Sequence, residues 1–213
     1  MITHVFFDND GILVDTEHLY FEASRRVLAA RDIELREADY IQLFLRENRG
    51  LLHYADIYGW TTAELDELRR TRNAIYTGLL VREARVIDGV RDVLDRLYGR
   101  CRMAIVTSAY ADHFELVHSR TNLLHYFDFV LKDGDYAASK PHPAPYLTAL
   151  ARSGAAPETC LVVEDSERGL AAATAAGLRC VIVPSRLTRG ERFEGAWRVL
   201  DDIRELPGLI DEA

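Results

Sequence analysis

The feature of this sequence that most limits its fold is a set of short apolar runs separated by longer amphipathic segments. The five runs, all rich in β-branched or aromatic residues, cover residues 5–7, 103–106, 127–131, 161–163 and 181–183. Continuous apolar runs of this length are typical of parallel strands that are buried on both faces. Helical patterns at 109–122, 143–153 and 166–176 lie between the last four runs. This alternation predicts βαβ units and a doubly wound, parallel α/β sheet.

The long segment between the first two runs has a different pattern. From residue 16 to residue 83, helical spacing continues without a strand signal and without a proline. An all-helical insertion directly after the first strand is better explained as a cap than as part of the sheet. We therefore expect an α/β core formed by residues 1–15 and 84–213, and a helical cap formed by residues 16–83.

Several polar residues are placed where helices should begin. Thr61 and Glu64 have the spacing of a capping box. Asp88 and Ser166 each precede a helical pattern and are expected to be N-caps.

Charge and cysteine usage exclude some classes of partner and site. The chain has 213 residues, with 26 basic and 34 acidic side chains and a net charge of −8. This acidity argues against nucleic acid or an anionic membrane as the main partner, and no apolar run approaches the about 20 residues of a membrane span. Cys101, Cys160 and Cys180 are far apart, which predicts buried thiols in a reducing compartment. We expect a cytoplasmic protein, by default a monomer.

Polar side chains follow four of the apolar runs, at the points where the strands should end. They are Asp8 and Asp10 after the first run, Thr107 and Ser108 after the second, Lys140 after the third, and Glu164 and Asp165 after the fourth. Ligands of open α/β sheets bind beyond the carboxyl ends of the strands. Carboxylates that converge there repel one another unless a cation lies between them, and an all-oxygen ligand set suits Mg²⁺. Thr107 and Lys140 add donors that could hold a phosphoryl group.

These motifs together resemble those of the haloacid dehalogenase superfamily. Residues 8–15, DNDGILVD, are similar to its first motif after a hydrophobic strand, and Ile12 is the one departure, because threonine is commonest there. The second, third and fourth motifs are matched by Thr107-Ser108, Lys140-Pro141 and Glu164-Asp165. The resemblance covers nearly the whole chain, and the helical insertion is similar to the type-1 cap of the family.

The resemblance implies a Mg²⁺-dependent phosphatase that hydrolyses a small phosphate monoester through an aspartyl-phosphate intermediate. Asp8 would attack phosphorus, and Asp10 would protonate the leaving oxygen and then activate water. Thr107, Ser108 and Lys140 would bind the phosphoryl oxygens. The Mg²⁺ ligands implied by the resemblance are Asp8, Asp10 through its backbone carbonyl, Asp165 and, behind them, Glu164.

Other functions fit these residues less well. Asp10 argues against dehalogenation, and the absence of lysine from the cap argues against Schiff-base phosphonate cleavage. A sugar-phosphate mutase similar to β-phosphoglucomutase is the main alternative: Tyr20 stands nearest to the expected histidine position, and His18 lies two residues away. A phospho-acceptor domain and a binding-only homologue are weaker alternatives, because the chain has a cap and every catalytic residue type.

Substrate specificity is expected to come from the cap. Arg46 and Arg49 are candidates for holding a distal anionic or sugar group, and Glu17 and His18 are further candidates beside the first motif. A solvated helix surface is the competing interpretation of these residues. The partner is expected to be a small phosphorylated metabolite, with phosphosugars, phosphoglycolate-like acids and nucleoside monophosphates all open. His118 and four other histidines are expected to be ordinary surface or packing residues.

Overall fold

A computed structural model describes the whole chain, residues 1–213. The chain divides into two compact units. One unit consists of Met1–Asp15 and Arg85–Ala213, and the other is Thr16–Ala84. None of the helices has the length and apolar character that crossing a membrane requires.

Eight strands and nine α-helices make up the two units. The strands are β1 (His4–Phe7), β2 (Val14–Asp15), β3 (Arg85–Val86), β4 (Arg102–Val106), β5 (Phe129–Leu131), β6 (Cys160–Glu164), β7 (Arg179–Ile182) and β8 (Arg198–Val199). The helices are α1 (Glu17–Ala29), α2 (Glu37–Tyr40), α3 (Leu51–Tyr58), α4 (Thr62–Glu83), α5 (Val90–Leu97), α6 (Ala111–Thr121), α7 (Ala144–Ser153), α8 (Glu167–Ala175) and α9 (Leu206–Asp211).

The larger unit is built on a six-stranded parallel sheet in the order β5-β4-β1-β6-β7-β8. Phe6 on β1 is paired with Ala104 on one side and Val162 on the other, and all three are buried. A central parallel strand is covered on both faces, which explains why Val5, Phe6 and Phe7 are apolar in succession. The predicted doubly wound α/β sheet is confirmed.

Two features of the larger unit differ from expectation. Val14 and Asp15 pair antiparallel with Val86 and Arg85 in a two-stranded ribbon, which is too short to leave a periodic signal in the sequence. The prediction that Asp88 is an N-cap is wrong, because Gly89 occupies that position with a φ of 84°. The carboxylate of Asp88 accepts instead from the guanidinium of Arg204 at 2.5 Å.

Other predicted start signals are confirmed. Thr61 and Glu64 form the reciprocal capping box at the start of α4, and Ser166 accepts from the backbone N–H of Gly169 at the start of α8. Each cap satisfies backbone donors that the first helical turn leaves without a partner. The helix starts are therefore set locally by these side chains.

The smaller unit is the predicted all-helical insertion. It contains α1 to α4 and a π-helical turn over Ile41–Arg46 that continues from α2. The ring of Tyr20 on α1 meets that of Tyr76 on α4 edge to face, with 5.1 Å between centroids. The guanidinium of Arg72 lies 4.6 Å from the Tyr20 ring centre. Aromatic and cation–π contacts thus join the two long helices of this unit.

Candidate active site

The parallel sheet brings the expected polar residues to one edge. Asp8 directly follows β1, Thr107 follows β4, and Asp165 follows β6. Hydrogen bonding continues past the strand ends, since the Asp8 amide donates to Val163 O at 2.9 Å and the Thr107 amide to Leu131 O at 3.0 Å. The backbone that carries Asp8 and Thr107 is therefore held in place by hydrogen bonds to the neighbouring strands.

Lys140 connects the strand ends through its ammonium group. Its Nζ donates to Asp8 Oδ1 at 2.7 Å, to Glu164 Oε1 at 2.6 Å and to the carbonyl oxygen of Val106 at 2.7 Å. An ammonium has three donors, so each is matched by one protein acceptor. All three side chains in this group are buried. A phosphoryl oxygen would bind Lys140 by exchanging with one of these acceptors.

Burial and charge act in opposite directions in this group. Burial raises the pKa of Asp8 to about 7; Lys140 opposes that rise, and Glu164 and Asp10 add to it. Burial alone would lower the pKa of Lys140, but the carboxylates of Asp8 and Glu164 outweigh it and raise that pKa above its usual range. The ammonium is therefore held charged, and its single positive charge does not balance the negative charge of the carboxylates beside it.

Glu164 lies at the base of the site, enclosed by two further residues. The hydroxyl of Tyr146 on α7 donates to Glu164 Oε1 at 2.5 Å, and the ring of Tyr146 lies 5.1 Å below the Lys140 ammonium. A Cβ on Gly169 would stand 1.9 Å from the Glu164 carboxyl group. Glycine at this position therefore lets α8 lie directly against the carboxylate.

The acidic side chains fit a divalent cation. Carboxylate oxygens of Asp8, Glu164 and Asp165 lie within 4.8 Å of one another, and all three residues are buried. A Cβ on Gly11 would stand 2.2 Å from Asp165 Oδ2, so the loop that carries Asp10 passes close to this carboxylate. The donor set consists of hard oxygens only, which matches Mg²⁺. Because three buried carboxylates share this site with the single ammonium of Lys140, a cation would also offset the excess negative charge.

The hydroxyl groups after β4 have separate partners. Thr107 Oγ1 donates to Asp10 Oδ2 at a long 3.4 Å and accepts from the amide of Ala109 at 3.0 Å. Ser108 Oγ accepts from Ser139 Oγ at 2.9 Å. The structure thus links Thr107 to Asp10, and Ser108 to the loop that leads to Lys140.

Three residues near this edge were not identified from the sequence. Tyr146 supports Glu164, as described above, and Asn9 is buried between the two aspartates of the first motif. His118, which was expected to be a surface or packing residue, is buried, and its ring nitrogens also contact Asn9 and Thr121 at 2.8 Å each. Local pattern carries no signal for such contacts, since 109 residues separate His118 from Asn9.

The four cap candidates lie in the helical unit. Glu17 is the first residue of α1 and accepts a hydrogen bond from the hydroxyl of Tyr40. Arg46 ends the π-helical turn, and Arg49 forms an exposed ion pair with Asp56. His18, beside Glu17, is half-buried. Their part in substrate specificity stays a prediction.

The sequence is similar to a known protein family and to several of its members. A family model described as haloacid dehalogenase-like hydrolase matches residues 5–183. The protein CbbY of Rhodobacter capsulatus is 31% identical over 209 residues, with 92% of each chain covered. Hexitol phosphatase B of Escherichia coli is 28% identical, with 96% of this chain and 94% of the relative covered.

Solved structures share the complete fold. A crystal structure of a CbbY mutant from Rhodobacter sphaeroides with xylulose-(1,5)bisphosphate has a TM-score of 0.82 and 27% identity, covering 97% of this chain and 96% of that one. A candidate β-phosphoglucomutase from Thermotoga maritima has a TM-score of 0.78 and 28% identity over the full length of both chains. The family match covers most of the sequence and includes every strand-end residue described above. The chain therefore belongs to the haloacid dehalogenase-like hydrolases.

Proposed function

We propose that this hydrolase is a Mg²⁺-dependent phosphatase that removes phosphate from a small phosphorylated metabolite through an aspartyl-phosphate intermediate. Family membership and phosphatase-named relatives show a phosphoric monoester hydrolase; the metal, the intermediate and the substrate class are the proposal. The observation that carries it is the buried group of Asp8, Lys140, Glu164 and Asp165 at one edge of the sheet.

In the first step, Asp8 is the nucleophile. A carboxylate oxygen of Asp8 attacks phosphorus, the bond between phosphorus and the ester oxygen breaks, and Asp10 gives its proton to the departing alcohol. Lys140 orients the Asp8 carboxylate through the 2.7 Å contact to Oδ1. The products of this step are the free alcohol, a phosphorylated Asp8 and an ionised Asp10.

In the second step, Asp10 acts as the base. It takes a proton from a water molecule as that water attacks the phosphorus of phosphorylated Asp8. The bond between Asp8 and phosphorus breaks, which releases inorganic phosphate and restores both side chains. Thr107 and Ser108 follow β4, and their hydroxyl groups are proposed to bind the phosphoryl oxygens during both steps, for which the Thr107 hydroxyl would exchange its contact with Asp10 Oδ2.

The proposed metal ligands are Asp8, the backbone carbonyl of Asp10, and Asp165, with Glu164 behind them. Glu164 fits this outer position because its Oε1 already accepts from Lys140 and Tyr146. When bound, Mg²⁺ supplies positive charge that offsets the negative charge on the oxygens of the transferring phosphoryl group. Residues of the chain supply the nucleophile, the proton and the orientation.

We infer that the substrate is a sugar or sugar-alcohol phosphate. The relatives support this class, because one is named hexitol phosphatase B and one solved structure holds xylulose-(1,5)bisphosphate. In the cap, Arg46, Arg49, Glu17 and His18 are the residues proposed to recognise the leaving group. The cytoplasm is the proposed compartment, with a monomer as the proposed state.

The deciding experiment measures phosphate release from p-nitrophenyl phosphate and a panel of small phosphate monoesters. We expect release that requires Mg²⁺, is lost on chelation, returns with added metal, and disappears in Asp8→Asn. Asp128→Asn, an exposed aspartate paired with Arg102, is the matched control and should remain active. Acid quenching during turnover should leave one phosphoryl group on the peptide that contains Asp8. An active Asp8→Asn variant would contradict the proposed nucleophile.

A sugar-phosphate mutase is the second candidate, favoured by the structural likeness to the Thermotoga maritima protein. Interconversion of hexose 1- and 6-phosphates without release of phosphate would support the mutase. Tyr20, which stands nearest to the position where a mutase histidine is expected, is engaged by Tyr76 and Arg72 within the helical unit. This packing favours the phosphatase of the two.

A further inference from the structure

Asn9, between the two aspartates of the first motif, is one member of a buried line of hydrogen-bonded side chains. Its Nδ2 donates to Asp10 Oδ2 at 3.3 Å, and its Oδ1 lies 2.8 Å from Nε2 of His118. Nδ1 of His118 lies 2.8 Å from Oγ1 of Thr121. The line therefore runs from the last residue of α6, through His118 and Asn9, to the carboxylate of Asp10.

Starting from Asp10, the donor and acceptor roles in each hydrogen bond determine those in the next one along the line. An ionised Asp10 can only accept, so Asn9 presents its NH₂ group to it and turns its carbonyl oxygen towards His118. That oxygen needs a donor, so the imidazole carries its proton on Nε2. Nδ1 is then an acceptor, and the hydroxyl of Thr121 donates to it.

The surroundings of His118 keep its ring in the neutral form that this line requires. Burial lowers the pKa of His118 to about 4, and the carboxylate of Asp10 opposes the shift only in part. The ring of Phe114 covers the imidazole with 4.3 Å between ring centroids. A neutral ring has one donor and one acceptor nitrogen, which are the two roles assigned above.

We propose that His118 and Thr121 are positioning residues, which hold the Asn9 amide so that Oδ2 of Asp10 stays an acceptor and Oδ1 carries the acid proton. Before substrate binds, the hydroxyl of Thr107 also donates to Oδ2. Without the His118 donor, the Asn9 amide can turn over and place its oxygen against Asp10 Oδ2, where two acceptors repel. The inference rests on the proposed function, in which Asp10 protonates the leaving oxygen.

The test compares His118→Leu with His118→Gln. Glutamine can place an NH₂ donor near the position of Nε2, whereas leucine has similar bulk and no donor. The measured quantity is kcat/KM for phosphate monoesters whose leaving groups range from p-nitrophenol to an alkyl alcohol. This ratio reports the step in which Asp10 must give up its proton, and an alkyl leaving group depends on that proton most.

His118→Leu is expected to lower kcat/KM about tenfold or more for the alkyl ester and less than about threefold for p-nitrophenyl phosphate. His118→Gln should restore most of the loss. Asp10→Asn should show the same dependence on the leaving group with a larger loss. The signature is therefore a steeper dependence of kcat/KM on leaving-group pKa, which a general loss of structure does not produce.

Thr121 gives an independent pair of variants at the outer end of the line. Thr121→Val keeps the shape but removes the hydroxyl, and Thr121→Ser keeps the hydroxyl. We expect Thr121→Val to steepen the leaving-group dependence by about threefold across the panel, and Thr121→Ser to leave it unchanged. If thermal melts show that His118→Leu is unfolded, His118→Gln and the Thr121 pair decide the question.

The outcomes separate this inference from the function on which it rests. Equal losses for every leaving group in a folded His118→Leu, or a glutamine variant no better than leucine, would overturn the positioning role while the phosphatase stands. A parent enzyme that releases phosphate from no ester would refute the proposed function, and the inference would fail with it.

Discussion

Charged side chains at the sheet edge of the α/β unit and on the surface of the helical unit are used in opposite ways. In the α/β unit, Lys140 lies between Asp8 and Glu164, and its side chain is only 4% exposed. In the helical unit, pairs such as Arg36 with Asp39 lie at the surface, three residues apart along the chain, with 69% of the arginine side chain exposed. The first arrangement joins separate strands, whereas the second needs only one stretch of chain.

Buried and exposed ion pairs should respond differently to substitution. A buried ion pair is stable only when every partner is in place, because each charge has lost its water. An exposed pair loses little when one partner is removed, since water replaces it. Substitutions in the buried group should therefore affect both folding and activity, whereas substitutions in the exposed pairs should affect neither unless the residue contacts substrate.

The largest effect is expected for Lys140→Met. This change leaves Asp8 and Glu164 buried without their shared cation, so the free energy of unfolding should fall by about 3 to 5 kcal/mol, and phosphatase activity should be lost. Lys132→Met is the matched control, as Lys132 is the only other lysine and pairs with the exposed Glu115 at 3.0 Å. Urea unfolding and phosphate release measure both effects. Equal destabilisation by the two substitutions would contradict the contrast between buried and exposed ion pairs.

The second effect concerns pH and the buried His118. Its pKa is about 4 in the folded chain against an ordinary 6.5. Between these values the unfolded chain binds a proton that the folded chain does not, so the free energy of unfolding falls as pH is lowered from 6.5 to 4. The contribution is about 3 kcal/mol at most. Urea unfolding at pH 7 and pH 4.5 should show a smaller loss for His118→Gln than for the parent, and equal losses would show that His118 does not titrate in this way.

A smaller effect is expected for Tyr146→Phe. The substitution removes the hydroxyl that donates to Glu164 Oε1 but leaves the Lys140 contact to the same oxygen. A hydrogen bond to a buried charged group contributes about 1.5 to 3 kcal/mol, so the loss should be smaller than for Lys140→Met. Tyr126→Phe removes a 2.5 Å hydrogen bond to the surface residue Asp95 and serves as control. Unfolding curves that place both variants at the parent midpoint would show that Glu164 does not depend on Tyr146.

The sheet of the larger unit is more predictable from the sequence than the side-chain contacts around its edge. The sheet could be predicted because each parallel strand carries its own apolar run, and the topology then brings Asp8, Thr107 and Asp165 to one edge. The antiparallel ribbon of Val14 with Val86 could not be predicted, because two residues carry no periodic pattern. Tyr146 and His118 could not be assigned for another reason: each is an ordinary position of a helix until the fold brings Glu164 or Asn9 beside it.

The smallest effects are expected in the exposed ion pairs of the helical unit. Arg36→Gln and Arg49→Gln each remove a surface pair, with Asp39 and Asp56 respectively. Water and salt screen such pairs, so both variants should unfold at the parent midpoint within error. Of these two arginines, only Arg49 is a candidate for binding the leaving group. Arg49→Gln should therefore raise the KM for sugar phosphates without changing the KM for p-nitrophenyl phosphate. Arg36→Gln should change neither KM. A KM unchanged in both variants would assign Arg49 to the solvated surface, and the charges of the helical unit would then differ from those of the core in function as well as in burial.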